Sequence, residues 1–133
     1  MSKTKTGSNA IFTGPQKGLT TIGKHAYAYS GGVAQTSASG EVTKLDFNTG
    51  KQYIVSKVEG YYGDLSSDWF KMNVYFNEIL ILQWATNHNS SAFSEDMTPI
   101  HLIIPPLTNV RISTAVGSDA DYTAVTLVGE LYG

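Results

Sequence analysis

The chain contains no cysteine. That excludes disulfides, thiol chemistry and any cysteine-based zinc site, and leaves the redox compartment open. Charge is also scarce, at 15% of 133 residues, so the surface is short of the side chains that keep a free monomer soluble. No apolar run approaches the roughly 20 residues of a membrane-spanning helix, so no membrane partner is expected. The first residues also lack the apolar middle of a signal peptide: Ile11 and Phe12 stand isolated among Thr, Gly, Asn and Pro. The expectation is a soluble chain not exported by that route.

The charge that is present is unevenly placed. Residues 1–24 hold four lysines (Lys3, Lys5, Lys17, Lys24) and no acid, whereas residues 25–133 hold all eleven acids against four lysines and one arginine. A +4 segment thus joins a −6 body. The first segment is rich in Ser, Thr and Gly and has too little apolar surface to order itself. The expectation is an extended N-terminal arm over 1–24 and one domain over 25–133. The arm's lysines are spread out rather than clustered, and no exposed aromatics are interleaved with basic residues, so nucleic acid is not expected as a partner.

Within the body the apolar period is two, and turn residues recur at intervals that suit short antiparallel strands. His25 to Ser30 alternates before Gly31-Gly32 interrupts it. Val42, Leu45 and Phe47 lead into the turn Asn48-Thr49-Gly50. Along 52–58, Tyr53 and Val55 share one face and Ile54 takes the other. Two β-rich runs meet at Asn77-Glu78, where Asn tolerates the left-handed backbone of a two-residue hairpin loop and Glu is atypical. Ile79-Leu80-Ile81-Leu82 is apolar on both faces, which predicts a buried strand, either central in its sheet or at a subunit interface. Pro105-Pro106 ends a strand over 100–104, and 110–116 and 122–132 are strands. About eight strands without a helix predict an all-β fold, an antiparallel β-sandwich or a barrel.

The sequence offers catalysis little. His25, His88 and His101 stand beside no recognised nucleophile motif, so no catalytic residue is assigned and the chain is expected not to be an enzyme. The acidic loops Asp64 to Asp68, Glu95-Asp96 and Asp119 to Asp121 lack the dense pattern of a calcium loop and read as turn formers, so no metal and no cofactor are assigned. Tyr61, Tyr62, Trp69 and Trp84 are the candidate rings for a protein interface or for glycan contact. Trp69 and Trp84 sit at the open end of the expected hairpin, where cross-strand pairing is possible.

Five segments resemble the small single jelly-roll virion proteins of tailed bacteriophages, capsid decoration or cement proteins in particular. They are Gly23 to Gly31, Leu45 to Tyr53, Asn73 to Asn77, Ile103 to Pro106, and the closing Gly129 to Tyr132. The resemblance implies a jelly-roll sandwich forming a symmetric homo-oligomer, a trimer by preference, on the outside of an icosahedral head. The major capsid protein would be its partner and the virion surface its location, after synthesis in the host cytoplasm. In that reading Lys3, Lys5, Ile11, Phe12, Lys17 and Lys24 form the capsid-docking arm. The alternative is a carbohydrate-binding or receptor-binding sandwich, lectin-like or part of a fibre, with a glycan held by the four aromatics and the 87–91 loop.

Overall fold

A computed structural model describes residues 17–63, 69–87 and 99–133. Ten strands run through these residues: β1 Thr20–Ile22, β2 His25–Tyr29, β3 Val33–Gln35, β4 Val42–Asn48, β5 Tyr53–Gly63, β6 Trp69–Phe76, β7 Ile79–Asn87, β8 Ile100–Ile104, β9 Asn109–Val116 and β10 Ala120–Tyr132. A single 3-10 turn, Ser37–Ser39, is the only other regular element among them. All strand pairs are antiparallel. One sheet has the order β1-β2-β10-β5-β8, with β3 also on β10, and the other has the order β4-β9-β6-β7.

Leaving aside β1 and treating β2 and β3 as one interrupted strand, this is the jelly-roll order. Successive strands alternate between sheets except across the β6–β7 hairpin, and the last strand inserts beside the first, which closes two Greek keys. The interruption has a local cause. Gly31 lies at φ 75, and beside it the Ser30 hydroxyl accepts the Val125 amide at 2.9 Å while the Ser30 amide donates to the Val125 carbonyl at 3.0 Å. The serine thus closes the ladder where the backbone turns out of it.

The expected turn at Asn77-Glu78 is present, with φ of 52 and 64 at the two residues. The Glu78 carboxylate is held by Arg111, with hydrogen bonds at 3.0 and 2.9 Å, and the Asn77 side chain accepts the Asn109 amide at 2.9 Å, which ties both turn residues to β9. The period-two reading of 52–58 holds as well: Ile54, Ser56 and Val58 are buried and Tyr53 and Val55 exposed. Between the sheets lie Leu45, Ile54, Val58, Tyr62, Phe70, Met72, Val74, Ile104, Ile112 and Leu127, all at or below 1% exposure.

The core has a polar end. Gln35 donates to the Thr114 carbonyl at 2.8 Å and the Gly40 carbonyl at 3.2 Å, and its amide oxygen accepts both the Thr114 and Thr123 hydroxyls at 2.7 Å. Lys44 is buried beside it and donates to the Thr123 carbonyl at 3.0 Å, and burial lowers its pKa.

Three expectations need correction. The sandwich begins before residue 25: the Lys17 carbonyl accepts the Asp46 amide at 2.8 Å, and Thr20–Ile22 pairs with β2, so residues 17–24 of the basic segment belong to the fold. Ile79 to Leu82 is not a central strand, since β7 closes the edge of its sheet and leaves Ile79, Leu80 and Ile81 exposed. Trp69 and Trp84 do not pair, because Trp69 lies opposite Asn87 and Trp84 opposite Met72.

Candidate functional site

Two sheet faces point to solvent, and they differ in chemistry. On the outer face of the six-stranded sheet, β5 and β10 pair over eleven positions, so their alternate residues form continuous rows. One row sets Tyr53 against Tyr132, with ring centroids 5.8 Å apart and stacked. The next sets Val55 between Glu130 and Ile103, with His25 on the far side of Glu130. The third sets Lys57 between Val128 and His101, with Tyr27 beyond. Tyr27 and Tyr29 follow along β2 with centroids 5.0 Å apart. At the other end, Tyr122 lies over Gly63, where a Cβ would come within 2.0 Å of its ring.

The outcome is a plane rich in aromatic and aliphatic side chains, with Glu130, His25, Lys57 and His101 set among them. Ile22, Tyr29, Tyr53, Val55, Ile103, Tyr122 and Tyr132 are all exposed large apolar side chains on strands of this sheet. Tyrosine supplies large rigid contact area at little rotamer cost, and apolar planes of this kind mark interaction sites. A depression of about 310 Å³ lined by Val55, Lys57, His101, Glu130 and Tyr132 interrupts the plane.

The outer face of the four-stranded sheet is polar and is organised around Glu41. Its carboxylate accepts hydrogen bonds from Ser113, from the Tyr75 hydroxyl at 2.6 Å and from the Asn73 amide at 3.2 Å, with Arg111 at 3.8 Å. Gln83 donates to Asn73 at 2.7 Å, and the Arg111 guanidinium lies 4.0 Å above the Tyr75 ring. Partial burial alone would raise the Glu41 pKa, but the hydrogen bonds from Ser113, Tyr75 and Asn73 and the Arg111 charge outweigh it and lower the value below 4.5. The hydrogen bond to that carboxylate raises the Tyr75 pKa above 10.0.

A stability consequence follows for acid. Because the folded Glu41 titrates below its unfolded value, its contribution is complete above about pH 4.5 and is lost as pH falls through the folded pKa. The Glu41→Gln variant is therefore expected to be less stable than the parent at pH 7 and to show a shallower loss on acidification, as read by urea unfolding at several pH values. Equal slopes for the two proteins would show that the network contributes nothing to acid stability.

The residues singled out in the sequence do not converge. Tyr62 is consumed by the core, 4.9 Å from Phe70, and Trp84 packs partly buried against the same ring at 6.1 Å. Tyr61 belongs to the tyrosine face, whereas Trp69 lies on the opposite sheet with the Lys71 ammonium 4.7 Å over its ring. The four aromatics therefore do not make one glycan platform. Lys3, Lys5, Ile11 and Phe12 lie outside the described residues, as do His88, Asp64, Asp68, Glu95 and Asp96. Lys17 and Lys24 are held through their carbonyls, Lys24 accepting the Leu131 amide at 2.7 Å, while their side chains face solvent. Asp119 accepts the Ser37 amide at 3.3 Å, which suits its reading as a turn former.

The Glu41 network was not read from the sequence, since its members come from four separate parts of the chain and no motif joins them. Among the described residues, no three His, Asp or Glu side chains group where a metal ion could be held.

No family model matches the chain, and no curated protein does. Among solved structures, it is similar to dimeric latent PorU from Porphyromonas gingivalis, at 12% identity and a TM-score of 0.41. That likeness covers 91% of this chain, which spans 14% of the length of the PorU chain.

Proposed function

We propose that this chain is a structural virion protein, a capsid decoration or cement subunit that binds the outside of an icosahedral phage head and stabilises it as part of a symmetric oligomer. The observation that carries the reading is the tyrosine face: seven exposed large apolar side chains on one sheet of a small, sparsely charged domain. Such a plane costs solubility in a free monomer and has its use when a protein partner covers it. The partner would be the major capsid protein, with the basic residues of 1–24 meeting acidic shell surface beside the plane. Binding, rather than chemistry, is the proposed work of the molecule.

The test is co-sedimentation with empty heads of the virus that encodes the chain. The parent is expected to sediment with heads and to raise their resistance to heat. The double variant Tyr53→Ser with Tyr132→Ser is expected to bind at least about tenfold more weakly, the scale of losing interface tyrosines. Failure of the parent to bind heads would sink the proposal.

A second reading, a carbohydrate-binding or receptor-binding module, is favoured by one observation. Glu41, Asn73, Gln83 and Arg111 place planar polar groups beside the Tyr75 ring on an open sheet face, the mixture that polyols satisfy. Titration with soluble glycans, followed by tryptophan fluorescence from Trp69 on that face, decides it.

A further inference from the structure

Strands at the edges of the two sheets differ in how well they are protected. β1 and β3 have three residues each, and β8 has five before Pro105. β4 carries Lys44 and Asp46, and its Asp46 amide is taken by the Lys17 carbonyl. Short length, charge, proline and a covering segment are the usual devices that stop an edge from pairing with another chain. Among the described residues, β7 has none of them. It runs nine residues, Ile79–Asn87, without a charge or a proline, and Ile79, Leu80 and Ile81 are 67%, 49% and 46% exposed.

We propose that β7 is where a second copy of this chain joins, strand against identical strand, antiparallel about a two-fold axis, so that two four-stranded sheets become one of eight. Two observations select a second copy over another partner. An uncharged strand gives a charged partner strand nothing to neutralise it, and its charges would be desolvated against Ile79 to Leu82. β7 itself meets the requirement. The second is the bulge between Val74 and Tyr75, opposite which Ile81 is the extra residue of β7. Displaced from its own ladder, Ile81 is an apolar side chain for the second copy to cover.

An isologous contact of this kind closes at two copies, not at the three that the resemblance to cement proteins implies. The inference rests on reading the chain as an assembly subunit but not on a phage head being the partner. The experiment is sedimentation of the full chain over a wide concentration range, with Leu80→Lys and Ile81→Lys as single variants. Both side chains are substantially exposed, so the fold should survive, as far-UV circular dichroism will read. The parent is expected to be a dimer of the 14.4 kDa chain, and each variant to dimerise roughly 100-fold more weakly, because an ammonium would be placed in an apolar contact.

Should either lysine variant misfold, the absence of native cysteine allows a second measurement. Single substitutions Ile79→Cys, Ile81→Cys and Gln83→Cys are oxidised, and a cross-linked dimer is expected at the position nearest the axis, with none from Tyr132→Cys on the tyrosine face. A monomer at every concentration, a trimer, a dimer untouched by both lysine variants, or a dimer lost when residues 1–16 are removed would each overturn the proposal. A β7 dimer that ignores heads leaves this inference standing and removes the virion reading; head binding by a monomer does the reverse.

Discussion

Replacing Phe70 with alanine is expected to lower the free energy of unfolding by about 3–5 kcal/mol, the range for emptying a buried aromatic site. Phe70 has no solvent exposure and lies on β6, flanked by β7 and β9. Its ring reaches across the sandwich to Tyr62 on the other sheet, 4.9 Å between centroids, and sideways to Trp84 at 6.1 Å. Its removal therefore opens a cavity between the sheets, which two paired ladders keep from closing. Against a total stability of about 5–15 kcal/mol, such a loss leaves the domain marginal. Urea unfolding followed by Trp84 fluorescence measures it, and a loss below about 1 kcal/mol would mean that the sheets do not meet at this ring.

Gln35→Leu is expected to cost about 2–4 kcal/mol although it adds apolar surface to a buried site. The amide of Gln35 uses both donors and both acceptor positions on Thr114, Gly40 and Thr123. Leucine fills similar space at a site 2% exposed but leaves the buried Thr114 and Thr123 hydroxyls with only the long 3.5 Å contact between them. The asymmetry of hydrogen-bond energetics supplies a control: Gln35→Leu together with Thr114→Val and Thr123→Val removes the orphaned hydroxyls and should recover part of the loss. If the triple variant is no more stable than the single, the cost arises from shape rather than from unmet hydrogen bonds.

Much of the fold was legible because the signals are local. Alternation along 52–58 and 110–116, the prolines after Ile104 and the Asn77-Glu78 turn each act within a few residues, and each appears in the structure where the pattern sets it. β1 and β3 escaped because three residues carry too little periodicity to read. The polar cluster at Glu41 was illegible for a different reason. Glu41, Asn73, Gln83 and Ser113 are separated by up to 72 positions, and only the order β4-β9-β6-β7 makes them neighbours.

The two tryptophans mark the boundary most sharply. A two-residue turn alone would pair Phe76 with Ile79 and continue without a slip, placing Trp84 opposite Lys71 on the outer face. The bulge between Val74 and Tyr75 shifts the register by one, so Trp84 pairs with Met72 and packs against the core while Ile81 is displaced from the ladder. By itself, then, the sequence determined an all-β fold of antiparallel strands, a sandwich or a barrel, with a basic beginning and an acidic body. Only the tertiary structure decided that the domain is a sandwich, which strands are edges, which tyrosines share a face and which tryptophan packs against the core. Side-chain alternation is a property of one strand, whereas edge, face and register are properties of pairing between strands distant in the chain, where a single extra residue reverses every side chain beyond it.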